Sequence, residues 1–204
     1  MRTFILIFFG LLTGSLSAQL AIDTSRTAAD RVAEVLFGNR VELISAQPIG
    51  HKIASGVFQD SSAVPLVKEG LVFSTGIVFD LRGPNTSSSK GRNLLRRGDL
   101  DLRKLAGDAV NDASGIVFTF IPKYETISFN YFFGSEEYTE YVGSSFNDLF
   151  ALLIKGPGYD GYFNLATIPN SRRPITINNI NPGRNSRYYI DNNYFNSRGY
   201  ASED

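Results

Sequence analysis

The chain has 204 residues, enough for one domain with a real core, and its 43% hydrophobic and 20% charged residues exclude a disordered chain. Twenty basic residues balance twenty acidic ones, which argues against nucleic acid or an anionic membrane as the main partner, since both select a basic excess. Cysteine is absent, which removes disulfides, thiol catalysis, zinc-thiolate sites and lipid attachment at cysteine.

The chain opens with Met1-Arg2, an apolar run FILIFFGLL at 4–12, and a small-residue tail TGSLSA at 13–18. The run is too short to span a bilayer and reads as a secretory signal peptide over residues 1–18, cut at or near Ala18. Residues 19–204 then form one exported domain, with no transmembrane segment. Export without disulfides leaves core packing, or a metal ion, to stabilise it.

TAADRVAEVLF predicts one short N-terminal helix, capped by Thr24 or Ser25, with Ala28, Val32, Val35 and Leu36 on one face and Gly38 as its stop. VELISA (41–46) alternates as a strand, a short strand is expected near Val57-Phe58, and LVFSTG (71–76) reads as a buried strand. DLRGPNTSSSKGRN (80–93) is loop, and a short helix is expected around residues 101–105, with Asp101 as its cap. GIVFTFIP (115–122) and TISFNYFF (126–133) predict a hairpin joined by Lys123, Tyr124 and Glu125. In the second strand Ile127, Phe129 and Tyr131 share one face. NDLFALLIKG, apolar on both faces, predicts a central strand, and FNLATIP and PITINNI predict two shorter ones. The expected fold is mainly β: an antiparallel β-sandwich, jelly-roll-like, with one short helix.

The chemistry concentrates in GSEEYTEYVGSSFNDLF (134–150), between two strand patterns. Glu136, Glu137, Asn147 and Asp148 fall at facing ends of two strands, and Asp112, with Asp108 and Asn111, could join them from GDAVNDASG. Calcium takes six to eight oxygens from carboxylates, amides and carbonyls, and this is such a donor set. The plainer alternative is that the acids cap turns and face water. A third is glycoside hydrolysis by Glu137 and Asp148, which needs two carboxylates about 5 to 9 Å apart across a substrate. GDLDL (98–102) is too short for an EF-hand. The lone His51 has no Ser-acid pattern beside it. Tyr138, Tyr141, Tyr159 and Tyr162 could stack on a sugar, anchor a protein partner, or simply pack as lids.

RVAEVLFGNRVEL (31–43), GLVFSTG (70–76), GPN (83–85), GDLDL, NDASGIVFTFIP (111–122), FGSEEY…FND…GPG within 126–158, NLATIP (164–169), PITINNIN (174–181) and YYIDN (188–192) follow one another in an order that resembles the choice-of-anchor L domain. That is a surface-protein domain seen mainly in Bacteroidota; the FGSEEY…FND…GPG run is its most specific part. The resemblance implies an exported, often modular protein, type IX secretion, and an anchoring or sorting domain that varies between relatives. It implies no established enzyme activity and no defined ligand. The family often has a cysteine after its SEEY motif, where this chain has Val142 and Gly143. Members usually continue past YYIDN into further strands, so a C-terminally truncated member with an unpaired sheet edge is expected.

The sequence is therefore read as a secreted, cell-surface, non-catalytic adhesion module of a larger protein. Calcium would be held by Glu136, Glu137, Asn147, Asp148 and Asp112, and Tyr138 and Tyr141 would face a protein or glycan partner. The alternative is a carbohydrate-active protein, lectin-like or a glycosidase using Glu137 and Asp148.

Overall fold

The computed structural model describes residues 20–61, 67–83, 92–107 and 110–191. The expected signal peptide, Asp108 and most of the serine-rich loop lie outside them. Among the described residues no helix is long and apolar enough to cross a membrane.

The first helix is capped by Thr27, not by Thr24 or Ser25. Thr27 Oγ1 accepts the Asp30 N–H at 3.2 Å, and Asp30 Oδ2 accepts the Thr27 N–H at 3.1 Å, a reciprocal capping box. One α-helical turn, Ala28–Asp30 (α1), passes into a π-helix, Arg31–Phe37, and Gly38 ends it at φ +56°. The π geometry explains a shift of the buried face. Residues five apart align when hydrogen bonds run i to i+5. Val32 and Phe37 therefore become the buried apolar pair, while Ala28, Val35 and Leu36 are only half-buried.

The strands fall into several antiparallel sheets. Leu20–Asp23 (β1), Ser55–Asp60 (β3) and Glu69–Phe73 (β4) form one, in the order β1-β3-β4. Val41–Ile49 (β2) and Gly115–Pro122 (β5) form a second. The expected hairpin between β5 and 126–133 does not form; β5 pairs with β2 instead. Leu43 faces Phe120, Ala46 faces Phe118 and Pro48 faces Ile116, so the two apolar stripes match, with a register shift between Leu43 and Ser45 absorbing the mismatch. The N-terminal helical segment touches both sheets, through β2 of one and β4 of the other.

The second half is stitched from shorter pieces. The expected central strand divides into Leu149–Phe150 (β6) and Leu153–Ile154 (β7). β6 pairs with Ile175–Thr176 (β9), and β7 pairs with Phe163–Asn164 (β8). The switch of partner sits at Leu152, whose N–H bonds the Asn164 side chain at 3.1 Å instead of a strand carbonyl. A side-chain amide here replaces a ladder bond, which an apolar pattern does not reveal. The second helix, Leu100–Ala106 (α2), is capped by Asp99, not Asp101: Asp99 Oδ1 accepts the N–H groups of Asp101 and Leu102 at 2.8 and 3.0 Å. Asp101 pairs instead with Lys104 at 2.7 Å. His51 is not idle either, since its Nδ1 accepts the Ile53 N–H at 3.3 Å at the start of a 3₁₀ turn.

Two apolar clusters result. Val32, Phe37 and Val41 form the centre of the first, under Phe118, Phe120, Ile127 and Phe129. Ala166, Ile168, Ile175 and Ile180 form the second, covered by Phe133, Phe150, Leu152, Tyr188 and Tyr189. The Phe37 ring lies 5.3 to 5.5 Å from those of Phe118, Phe120 and Phe129. Phe37→Ala removes the ring that all three share, and is expected to lower unfolding free energy by about 3–5 kcal/mol, read from the urea midpoint.

Candidate functional site

The corner begins where residues 126–133 leave the second cluster. Phe133 packs on that cluster, and the chain buries Ser135 just before the turn over 136–143. The Ser135 hydroxyl donates to Asp148 Oδ2 at 2.8 Å and accepts the Glu137 N–H at 3.1 Å. One hydroxyl thus ties the SEEY turn to the FND entry of β6. The Asp148 N–H in turn donates to the Glu137 carboxylate, and the Asp148 carbonyl accepts the Ile177 N–H at 3.4 Å.

This wiring brings Glu137 and Asp148 together, and the electrostatics follow. The Glu137 carboxyl is pushed from an ordinary 4.5 up to about 7, first by burial, then by the Asp148 and Glu136 charges; the Asp148 N–H only partly offsets them. Burial also pushes Asp148 up, against the Ser135 hydrogen bond that favours its ionised form. Glu137 Oε2 is buried and has no hydrogen-bond partner. An acceptor left so costs about 1–3 kcal/mol, more when charged.

The loop around the pair is held by asparagines. Asn178 Oδ1 accepts the Gly143 N–H, its Nδ2 donates to the Ser144 carbonyl at 3.0 Å, and its own N–H donates to Asn147 Oδ1 at 3.1 Å. Asn181 is buried and bonds the Ile177 carbonyl and the Gly183 N–H, both at 3.0 Å. PITINNI was expected to be a strand. Only Ile175–Thr176 pairs as one, because the asparagine side chains bond the backbone beyond it into a turn. The signal was legible: INNINPGRN is dense in the residues that favour such turns.

The expected site residues separate. Glu137 and Asp148 meet, with Glu136 close enough to raise Glu137. Asn147 is adjacent but spends its oxygen on Asn178. Asp112 serves another loop, accepting the N–H groups of Leu94 at 3.3 Å and Arg96 at 2.7 Å from a left-handed backbone, φ +47°. Among the described residues no group of three or more His, Cys, Asp or Glu side chains is arranged to hold a metal. Tyr138 turns inward: its hydroxyl donates to the Ile180 carbonyl, its ring meets Tyr189 edge-on at 5.1 Å, and burial pushes its pKa up to about 12. Tyr141 is half-buried and lies edge-on to exposed Phe146, at 5.4 Å. Sequence reasoning missed Ser135 and Asn178, the two side chains that close the corner.

Comparison with known families settles the relationship. The choice-of-anchor L domain matches residues 21–203, nearly the whole chain. The chain belongs to the choice-of-anchor L family. No curated protein and no solved structure matches it. The residues of the corner all lie within the matched span, so the Glu137–Asp148 pair sits inside the choice-of-anchor L domain itself.

The pair sets a pH dependence. Folding raises the Glu137 pKa, so between about pH 4.5 and about pH 7 the folded state holds more protons than the unfolded chain, and stability falls as pH rises. In chelator, melting temperature is therefore expected to drop between about pH 5 and about pH 8. Glu137→Gln flattens that slope and raises the value at the upper pH by about 3 °C, or roughly 1 kcal/mol once the residue's partial exposure is discounted for screening. Asn178→Ala, which frees the Gly143 turn, is expected to cost about 1–3 kcal/mol and to increase amide exchange in residues 141–146.

Proposed function

We propose that the protein is a secreted, cell-surface, non-catalytic interaction module, stabilised by calcium at Glu137 and Asp148. Family membership supports the surface role. The observation that carries the metal is the unpartnered, buried Glu137 Oε2 beside a second carboxylate and within the field of a third, Glu136. A divalent cation would offset the burial and the carboxylate repulsion that together raise the Glu137 pKa, and supply the partner that this oxygen lacks. Glu137 thus takes precedence over Glu136 as a ligand. Asn147 and Asp112 drop out of the set, since their oxygens hold Asn178 and residues 94–96.

The ion's role is structural: it fixes the 134–148 loop, whose outer edge carries Tyr141 and Phe146. That pair, rather than the inward Tyr138, would face the protein or glycan partner. We read the antiparallel sheets as parts of a jelly-roll-like β-sandwich, supported by the helical segment's contacts with both larger sheets. Placement in a larger modular protein exported by type IX secretion belongs to the same reading and rests on the family.

The test is thermal unfolding of the secreted chain in calcium and in chelator. Calcium at a hundredfold excess over its Kd is expected to add about 2.7 kcal/mol, several degrees for a domain of this size. Glu137→Ala and Asp148→Ala lose the shift; Asp112→Ala melts lower but keeps it. A folded wild type that melts identically in both conditions sinks the calcium assignment. Turnover of a chromogenic glycan panel, lost in Glu137→Gln with the fold intact, would instead establish the carbohydrate-active reading.

A further inference from the structure

The zero net charge of the whole chain hides a local segregation. Residues 92–104, RNLLRRGDLDLRK, hold five basic residues against two acidic ones, net +3, which leaves −3 for the rest of the chain. Both acids are engaged within the stretch. Asp99 caps α2, and Asp101 pairs with Lys104 at 2.7 Å. Among the described residues no carboxylate lies within ion-pair distance of Arg92, Arg96, Arg97 or Arg103, and all four are exposed.

Two leucines stand out among these cations. Leu95 is 87% and Leu100 73% exposed, more than any other large apolar side chain among the described residues. Leu95 is held out by its backbone. Its φ is +55°, a left-handed value that a leucine rarely adopts. Its neighbours fix it there. The carboxylate of buried Asp112 accepts the Leu94 N–H at 3.3 Å and the Arg96 N–H at 2.7 Å, and the Asp112 N–H donates to the Arg96 carbonyl at 3.1 Å. Asn93 Oδ1 accepts the Leu95 N–H at 2.7 Å. Backbone strain of this kind clusters at positions that meet a ligand. On α2, Leu100, Arg103 and Lys104 fall three and four apart, on the exposed face. The Lys104 pKa is raised first by its hydrogen bond to Asp101, and Tyr162, 57% exposed, is near enough to add to it.

We propose that this face docks on an anionic phospholipid surface, with Leu95 and Leu100 entering the boundary between head groups and acyl chains and Arg96, Arg97 and Arg103 meeting the phosphates. It uses none of the residues of the 134–148 corner, so it stands independently of the calcium reading. The arginines call for an anion, since their planar forks pair with phosphate oxygens and the acids nearby are already engaged. The leucines exclude a plain anion, because phosphate or an acidic polymer gives Leu95 nothing to bury against. A bilayer supplies both, acyl chains beneath a layer of phosphates, and receives a protruding tip without a preformed pocket. A protein partner would need an acidic rim around a pocket cut for Leu95, and leucine is under-represented among the side chains that anchor protein interfaces. Tyrosine beside the patch suits the head-group level. The balancing acids elsewhere matter little, since salt screens charges beyond about 8 Å.

The test is flotation of the secreted chain, in chelator, with vesicles of phosphatidylcholine alone and of phosphatidylcholine mixed with phosphatidylglycerol. The mixed vesicles are expected to bind it, the neutral ones about tenfold more weakly or less, and binding weakens as salt rises. Arg96→Gln together with Arg97→Gln weakens binding about tenfold or more. Leu95→Gly separates docking from folding. Glycine adopts a left-handed φ without strain, so this variant keeps its melting temperature while binding about tenfold more weakly. The chain has no tryptophan, so Leu95→Trp reports on the tip alone, and its emission is expected to shift to the blue on mixed vesicles. No binding to mixed vesicles, or binding that Leu95→Gly leaves unchanged, overturns the proposal. So does an emission that stays in place on bound vesicles. Loss of vesicle binding to inorganic phosphate at matched ionic strength overturns it in favour of a plain anion site. Binding of a polyglutamate peptide as tight as that of the vesicles, with the same loss in Leu95→Gly, overturns it in favour of an acidic protein partner.

Discussion

The Phe37 ring holds the first half of this molecule together. It is the last residue of the π-helix, and it touches Phe118 and Phe120 of β5 and Phe129 of the segment after it. The helix and two later pieces distant from it in sequence thereby share one apolar volume. The π turn is what aims it, because i to i+5 spacing aligns Phe37 with Val32. A regular α-helix would have faced Val35 and Leu36 inward and left β5 with a shallower ridge to cover. From that contact follows the pairing of β5 with β2, whose apolar stripe lines the same cluster. Residues 126–133 then run over the cluster rather than back along β5.

The course of that segment connects the core to the corner. Ile127 and Phe129 lie on the first cluster and Phe133 on the second, so the chain reaches Gly134 with its direction already set. Ser135 is buried there and must spend its hydroxyl, which it does on Asp148 and on the Glu137 N–H. Two carboxylates are drawn into one half-buried place as a consequence. Ionisation of Glu137 there opposes folding at neutral pH.

The same geometry separates two kinds of tyrosine. Tyr138 spends its hydroxyl on Ile180 and closes the second cluster beneath Tyr189, as buried tyrosines do when a carbonyl is in reach. Tyr141 and Phe146 sit on the outer side of the asparagine-stapled turn. The loop is held by side-chain wiring rather than by strand pairing.

The family order of motifs, the mainly β character, the short N-terminal helix and the short helix that starts within GDLDL were all legible in the sequence. They depend on local pattern: period, turn residues and motif spacing. The meeting of Glu137 with Asp148 was half legible, since a hairpin-like return between flanking strands implies it. What only the tertiary structure decided was non-local. Strand partners follow from which apolar stripes match across the core, so β5 chose β2 over its neighbour in sequence. The broken central strand arose because Asn164 offered a side-chain bond that competes with a ladder. Asp112 left the acidic set because the nearest unsatisfied N–H groups belonged to residues 94 and 96. A sequence displays donors, acceptors and faces; the fold alone determines which of them are close enough to satisfy one another.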